Sequence, residues 1–194
     1  MKQPTVLLIN GAQARGVAQG QLNQTLFELA KTELQTHYQI LETTIAEGYQ
    51  VRDEQEKFKQ ADLVIFQYPV FWFGVPGALK TYLDEVYEHG VFFAGSDRYG
   101  EGGLLQGKRY LLSTSWNAPN EVFSDKDAFF EGRAMDDLLL PMHKAQAYIG
   151  MSPLKSFGAF DVVGNPQLDH QRAAWRQHLQ TELLDQASPA TAAA

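Results

Sequence analysis

Between Ala61 and Glu88 the chain passes from a mostly apolar run, Ala61 to Phe66, through Gln67-Tyr68-Pro69-Val70-Phe71-Trp72-Phe73-Gly74-Val75-Pro76 into a helix-like run starting at Gly77. A short apolar run with little polar alternation is the pattern of a strand buried on both faces, as in a parallel sheet covered by helices. Pro69 and Pro76 bracket the connection, each fixing φ and removing an N–H, so the rings between them are held on a stiff turn at a strand's C-terminal end. In an open α/β sheet that edge is where ligands bind. The turn suits a flat, largely apolar ring system such as a flavin, met by backbone groups on one side and aromatic surface on another. The same rings would equally serve to plug a core or a dimer interface.

The rest of the chain repeats this alternation. Thr5 to Ile9 reads as a first strand ending at Asn10-Gly11, followed by helical spacing of Leu22, Leu26, Leu29, Ala30 and Leu34. Tyr38 to Thr44 is a weaker second strand, Arg52 to Gln60 a short polar helix, Ala61 to Phe66 the third strand and Gly77 to Glu88 a helix. Gly90 to Gly107 is a glycine-rich excursion without regular structure, a length usually functional or mobile. Tyr110 to Thr114 is a fourth strand, Asp136 to Ile149 a helix that Pro141 should break or delay, Ser156 to Val163 a fifth strand, and Gln167 to Leu184 a closing helix. The expected fold is α/β and flavodoxin-like: a five-stranded, doubly wound parallel sheet in the order 2-1-3-4-5 with helices on both faces. One domain over residues 1–186 and a flexible tail over 187–194 complete the expected organisation.

Composition removes several function classes. A formal charge of −7, with no Lys/Arg stripe, argues against a nucleic-acid binder. No apolar run approaches the length of a membrane span and no signal-peptide pattern opens the chain, so a cytoplasmic protein is expected. The lack of cysteine excludes disulfides, thiolate chemistry and cysteine-ligated metal clusters. The five histidines have no ligand-like spacing, so no metal site is expected. His143 and Lys144 are assigned to the surface, and the Asp and Glu side chains to solvated helix faces.

Three strand ends coincide in that topology. After the first strand, Gly11 to Gln21 is a loop of small and amide residues feeding a helix near Leu22, and free N–H groups at a helix start stabilise an anion without any lysine. Gln19, Gln21, Asn23 and Thr25 could add side-chain donors to a pyrophosphate. The loop matches neither a Walker P-loop nor the G-x-G-x-x-G fingerprint, and glycines before a helix are often only a turn. Its weight comes from lying beside the third-strand aromatic turn and Ser115-Trp116-Asn117-Ala118 after the fourth strand.

The residues Ile9-Asn10-Gly11-Ala12, Gly20-Gln21-Leu22-Asn23, the Pro69 to Pro76 connection, Tyr99-Gly100, Gly102-Gly103-Leu104, Gln106-Gly107-Lys108 and Trp116-Asn117-Ala118-Pro119 resemble the modulator of drug activity B group. These are FAD-dependent NAD(P)H:quinone oxidoreductases of the flavodoxin-like superfamily. The resemblance runs to about Leu184. It implies a homodimer with FAD at the subunit interface, NADPH or NADH as co-substrate, a quinone as the other substrate, and a role in oxidative stress. By position it places Ala18, Gln19, Gly20, Gln21, Leu22, Asn23, Gln24 and Thr25 on the FAD phosphates and ribityl chain. Val70, Phe71, Trp72 and Phe73 fall on the isoalloxazine, Ser115, Trp116, Asn117 and Ala118 on its opposite edge, and Tyr99 makes a further contact. The implied reaction is two-electron, ping-pong hydride transfer from the nicotinamide through flavin N5 to the quinone, so no protein residue is assigned as catalytic.

Departures from the group's pattern are local. Val70-Phe71-Trp72 stands where Gly-Trp-Trp is common, Ala18 where a serine often opens the phosphate block, and the Phe93 to Tyr99 excursion is short. Two other readings fit the same fold: an FMN-dependent azo or nitro reductase, and a regulatory subunit of a potassium-efflux system.

Overall fold

The computed structural model describes residues 3–14, 16 and 19–185. Ala18, expected in the phosphate block, and the tail expected over 187–194 lie outside the described residues.

Four strands make up most of the sheet: the buried β1 (Thr5–Asn10), β3 (Leu63–Pro69) and β4 (Arg109–Ser115), and the more polar edge strand β2 (Gln39–Thr44). Two short segments, β5 (Ser152–Pro153) and β6 (Phe157–Ala159), both pair with β4. The pairings are parallel and the order is β2-β1-β3-β4-β5, as the alternation of elements predicts. Every residue of β1 is buried. Its side chains alternate: Val6 and Leu8 pack with α1 (Gln21–Leu34) and α6 (Leu168–Leu179), Leu7 and Ile9 with α2 (Val51–Gln60), α3 (Gly77–Val86) and α5 (Leu140–Tyr148). Two cores on opposite faces account for strands without polar alternation.

Several boundaries differ from the sequence reading, each for a local reason. β3 continues past Phe66 through Gln67, Tyr68 and Pro69, paired as far as Pro69 with Ser115, because Gln67 and Tyr68 find partners inside the sheet rather than in a loop. The expected fifth strand over Ser156 to Val163 is instead two fragments beginning at Ser152; it ends at Ala159, and Asp161 then takes a left-handed φ of 52°. Pro141 sits in the first turn of α5, after a separate helical turn α4 (Met135–Leu138), because a proline N without hydrogen costs nothing there. The last helix passes into a π-turn over Gln180–Leu184.

The Gly90 to Gly107 excursion has no helix, yet it is pinned. Ala94 N–H donates to Gly102 O at 2.8 Å and Leu104 N–H to Phe92 O at 2.8 Å. Gly103 lies so close to the end of α5 that a Cβ would fall 2.2 Å from Gly150 N.

Two expectations about polar residues are corrected. His143 is not a surface residue: its side chain is 19% exposed, and its Nδ1 lies 2.7 Å from the Tyr110 hydroxyl, docking α5 on β4. On its other side Nε2 lies 3.3 Å from Asp136, which holds that carboxyl below its usual range. Glu54 is not on a solvated face either, being 1% exposed in the interior. Its carboxylate accepts from Thr43 Oγ1 at 2.6 Å, Tyr82 Oη at 2.7 Å and Lys57 Nζ at 2.6 Å. A buried carboxylate survives because each donor is matched. Burial, and then the Glu54 charge, hold the Tyr82 phenol far above its ordinary value.

Glu54→Ala leaves the buried Tyr82 and Thr43 hydroxyls without their acceptor, while Lys57 keeps Glu42 O and Thr43 Oγ1, and two buried donors left unmatched cost about 3 kcal/mol. Urea unfolding should show that loss, while Glu56→Ala, which breaks only the exposed pair with Lys59, should cost under about 1 kcal/mol.

Candidate active site

The C-terminal ends of β1, β3 and β4 carry the residues singled out in the sequence. At the end of β1, Asn10 Oδ1 accepts from Ala12 N–H at 3.0 Å and Asn10 Nδ2 donates to Gln24 Oε1 at 2.7 Å, so one side chain shapes the turn and ties it to α1. Gly11 lets the chain pass close to α3: a Cβ there would meet Leu79 Cδ2 at 2.9 Å and make that buried side chain shift.

α1 begins after Gly20, which has φ 72°, with no side-chain cap and no acid in its first turn. The N–H groups of Gln21, Leu22 and Asn23 find no acceptor among the described residues. A helix of 14 residues with an open, uncapped start is a site of positive potential. The side chains around it are engaged locally: Gln19 donates to Gly16 O, Thr25 to Gln21 O, Gln24 to Glu28, and Asn23 is turned inward. Backbone N–H groups, and the exposed side chain of Gln21, are the donors this helix start presents.

After β3, Val70 N–H donates to Ser115 O at 2.9 Å. Phe71 and Gly74 then exchange two backbone hydrogen bonds, N–H to O distances of 3.0 and 3.1 Å, closing a tight turn over Trp72 and Phe73. Both central residues have positive φ, 49° and 63°, a mirror-image turn that normally takes Gly or Asn. Placing aromatic residues there costs about 1–2 kcal/mol each. Such strain persists when surrounding structure holds it. Phe73 stacks on Phe129 (5.7 Å, 29°) and meets Phe130 edge-on (5.8 Å, 84°), leaving Trp72 92% exposed at the tip.

After β4, Ser115 is buried, Asn117 exposed and Ala118 half-buried. The Trp116 ring is 2% exposed: its Nε1 donates to Thr114 Oγ1 at 2.8 Å and it packs edge-on against Phe123. Trp116 N–H donates to Ala159 O, and Trp116 O accepts from Val162 N–H, so this residue anchors the connection to β6 rather than lining its surface. The N–H groups of Asn117 and Ala118 have no acceptor among the described residues. Tyr99 lies apart from these ends: 96% exposed, its ring is 5.8 Å from Tyr148 at the end of α5.

Two residues that the sequence reading did not select join the strand ends from beneath. Register places Asn10, Gln67 and Ser113 in one row across β1, β3 and β4. Ser113 Oγ donates to Gln67 Oε1 at 2.6 Å, Gln67 Nε2 to Asn23 Oδ1 at 2.9 Å, and Asn23 Nδ2 to Ser115 Oγ at 3.0 Å. A polar side chain inside an otherwise apolar strand was the available signal.

Among the described strand-end residues, Asn10 to Ala14, Val70 to Gly74 and Ser115 to Ala118, none is ionisable. The arrangement offers an anion-attracting helix start, an aromatic turn and free backbone donors around an uncharged space. Beside the turn, a largely apolar cleft of about 680 Å³ opens between α3 and α5, lined by Phe73, Val75, Leu83, Leu138, Pro141 and Met142. Among the described residues no group of His, Asp and Glu side chains could hold a metal ion, and no helix is long and apolar enough to cross a membrane.

Residues 4–183 match the flavodoxin-like fold family. The chain is 40% identical to NADPH:quinone oxidoreductase MdaB of Haemophilus influenzae over 90% of its length and 97% of that protein. It is 34% identical to human ribosyldihydronicotinamide dehydrogenase [quinone] over 82% of its length and 68% of that protein. A solved Klebsiella pneumoniae structure assigned as a quinone reductase superposes with a TM-score of 0.73 at 26% identity, covering 92% of this chain and 84% of that one. On the sheet order, the three strand ends and these likenesses together, the chain belongs to the flavodoxin-like fold family, in its modulator of drug activity B group.

Proposed function

We propose that the protein is an NAD(P)H:quinone oxidoreductase that carries FAD and works as a cytoplasmic homodimer. The observation that supports this reading most directly is the meeting of an uncapped helix start with a strained aromatic turn at adjacent strand ends. The first suits a pyrophosphate and the second a flat ring, and together they suit a flavin nucleotide. The length of the stretch from Gly11 to Gln21 mildly favours the two phosphates of FAD over the one of FMN.

When bound, the flavin supplies the two-electron chemistry that links nicotinamide to quinone. The protein's own residues bind and orient. The N–H groups of Gln21, Leu22 and Asn23 would hold phosphate oxygens, and Phe71 and Trp72 would wall the ring. The Asn117 side chain with the Asn117 and Ala118 N–H groups would donate to ring oxygens and nitrogens where negative charge develops. With Trp72 and Phe129 exposed beside the α3–α5 cleft, a second copy covering this face would remove water from the ring and bury its apolar surroundings.

Gently purified protein should be yellow, and anaerobic NADPH followed by menadione should bleach and then restore the flavin bands; a colourless protein that takes up neither FAD nor FMN contradicts the reading. Heat-released cofactor resolved against FAD and FMN standards checks the choice of nucleotide.

Trp72→Gly should separate the turn's two roles. Relief of the left-handed backbone should leave apoprotein stability unchanged or raised by up to about 1 kcal/mol, while flavin is lost on dialysis. Full flavin retention would remove Trp72 from the ring wall. Asn117→Ala should weaken flavin retention or slow quinone reduction, and unchanged values of both would remove Asn117 from the site.

A further inference from the structure

The side chains of Ser113, Gln67, Asn23 and Ser115 are 0%, 2%, 4% and 4% exposed. They come from three elements, β4, β3 and α1, and hydrogen-bond in sequence with no water-sized gap between partners. Both amides have one acceptor and one donor engaged inside the chain, so their orientations depend on each other: turning one alone sets oxygen against oxygen or nitrogen against nitrogen.

Only two directions satisfy all three contacts. In one, Ser113 donates and the sequence ends with Ser115 Oγ accepting from Asn23, which leaves the Ser115 hydroxyl hydrogen without an acceptor among the described residues. In the other, Ser115 donates and the unmatched hydrogen is stranded on Ser113, at 0% exposure in the middle of the sheet. Either direction leaves one buried donor unmatched within the chain, but only Ser115, the last residue of β4, stands at the strand end where a bound ligand could supply the acceptor, so the first direction is favoured. It delivers the free O–H to the last residue of β4, where Ser115 O also accepts from Val70 N–H at the base of the aromatic turn.

We propose that Ser113, Gln67 and Asn23 are positioning residues that hold the Ser115 hydroxyl as a hydrogen-bond donor toward an acceptor atom of the bound flavin ring, raising its affinity and its reduction potential. This rests on the flavin reading above. A donor aimed at the ring favours the reduced form, which carries more negative charge, so the chain acts on the potential through Ser115. Ser113 acts at a distance: without its hydroxyl, Gln67 Oε1 loses its donor, and the amides can reverse so that Ser115 donates inward instead.

The test is a spectroelectrochemical titration of the holoproteins, with flavin affinity measured in parallel and apoprotein stability by urea unfolding. Ser115→Ala and Ser113→Ala should each weaken flavin binding roughly 3- to 10-fold. Affinity for the reduced form should fall further by a similar factor, lowering the two-electron midpoint by about 15–30 mV. Ser113→Thr, which keeps the hydroxyl, should restore the wild-type potential. Lower stability or affinity at an unchanged potential in both alanine variants would show the chain to be structural only and overturn the proposal. Wild-type protein that takes up no flavin would instead overturn the flavin reading, and this assignment with it.

Discussion

Burial of the sheet on both faces governs this structure. Once helices cover both sides, polar groups within the strands need partners in the protein, which the buried Tyr68 hydroxyl of β3 lacks, and ligand chemistry is confined to the strand ends. The chain meets this in two places. Glu54 gathers three donors between α2, α3 and β2, and the amide and hydroxyl row under the site runs from Ser113 to Ser115 by way of α1. The first holds elements together and the second lies beneath the residues that face a ligand. Similar chemistry serves different ends because of where along the strands it falls.

Much of the fold is legible in the sequence because doubly covered parallel strands leave a strong mark. Thr5 to Ile9 and the apolar run before Gln67 needed no tertiary knowledge, and Pro141 announced the division between α4 and α5. Gln67 to Pro69 read as loop because an amide, a phenol and a proline look like punctuation, whereas their pairing with Ser113 to Ser115 keeps them in the sheet. Such partners are distant in sequence, and no local pattern points to them. The edge strand was harder still, since β5 and β6 are two and three residues long.

The three strand ends were also legible, but the roles within them were not. Periodicity cannot tell that Trp116 turns into the core while Trp72, also beside a proline-bounded connection, stands in solvent. Nothing local suggests a mirror-image turn over Trp72-Phe73, because the usual marker is glycine or asparagine and both positions are aromatic. Here tertiary stacking overrides backbone preference. Asn23 shows the complementary case: at a helix start it reads as an anion donor, yet Gln67 and Ser115 engage its side chain and only its N–H remains outward.

The stack of Phe73 on Phe129 ties the third-strand turn to a segment more than fifty positions further along the chain. The Phe71–Gly74 hydrogen bonds close the turn against local backbone preference, so its tilt depends in part on the surface that the remote segment presents. Evolution can therefore re-aim the indole at the tip by editing residues near Phe129, leaving Val70 to Gly74 untouched. Relatives with identical turn sequences need not offer identical walls to a substrate.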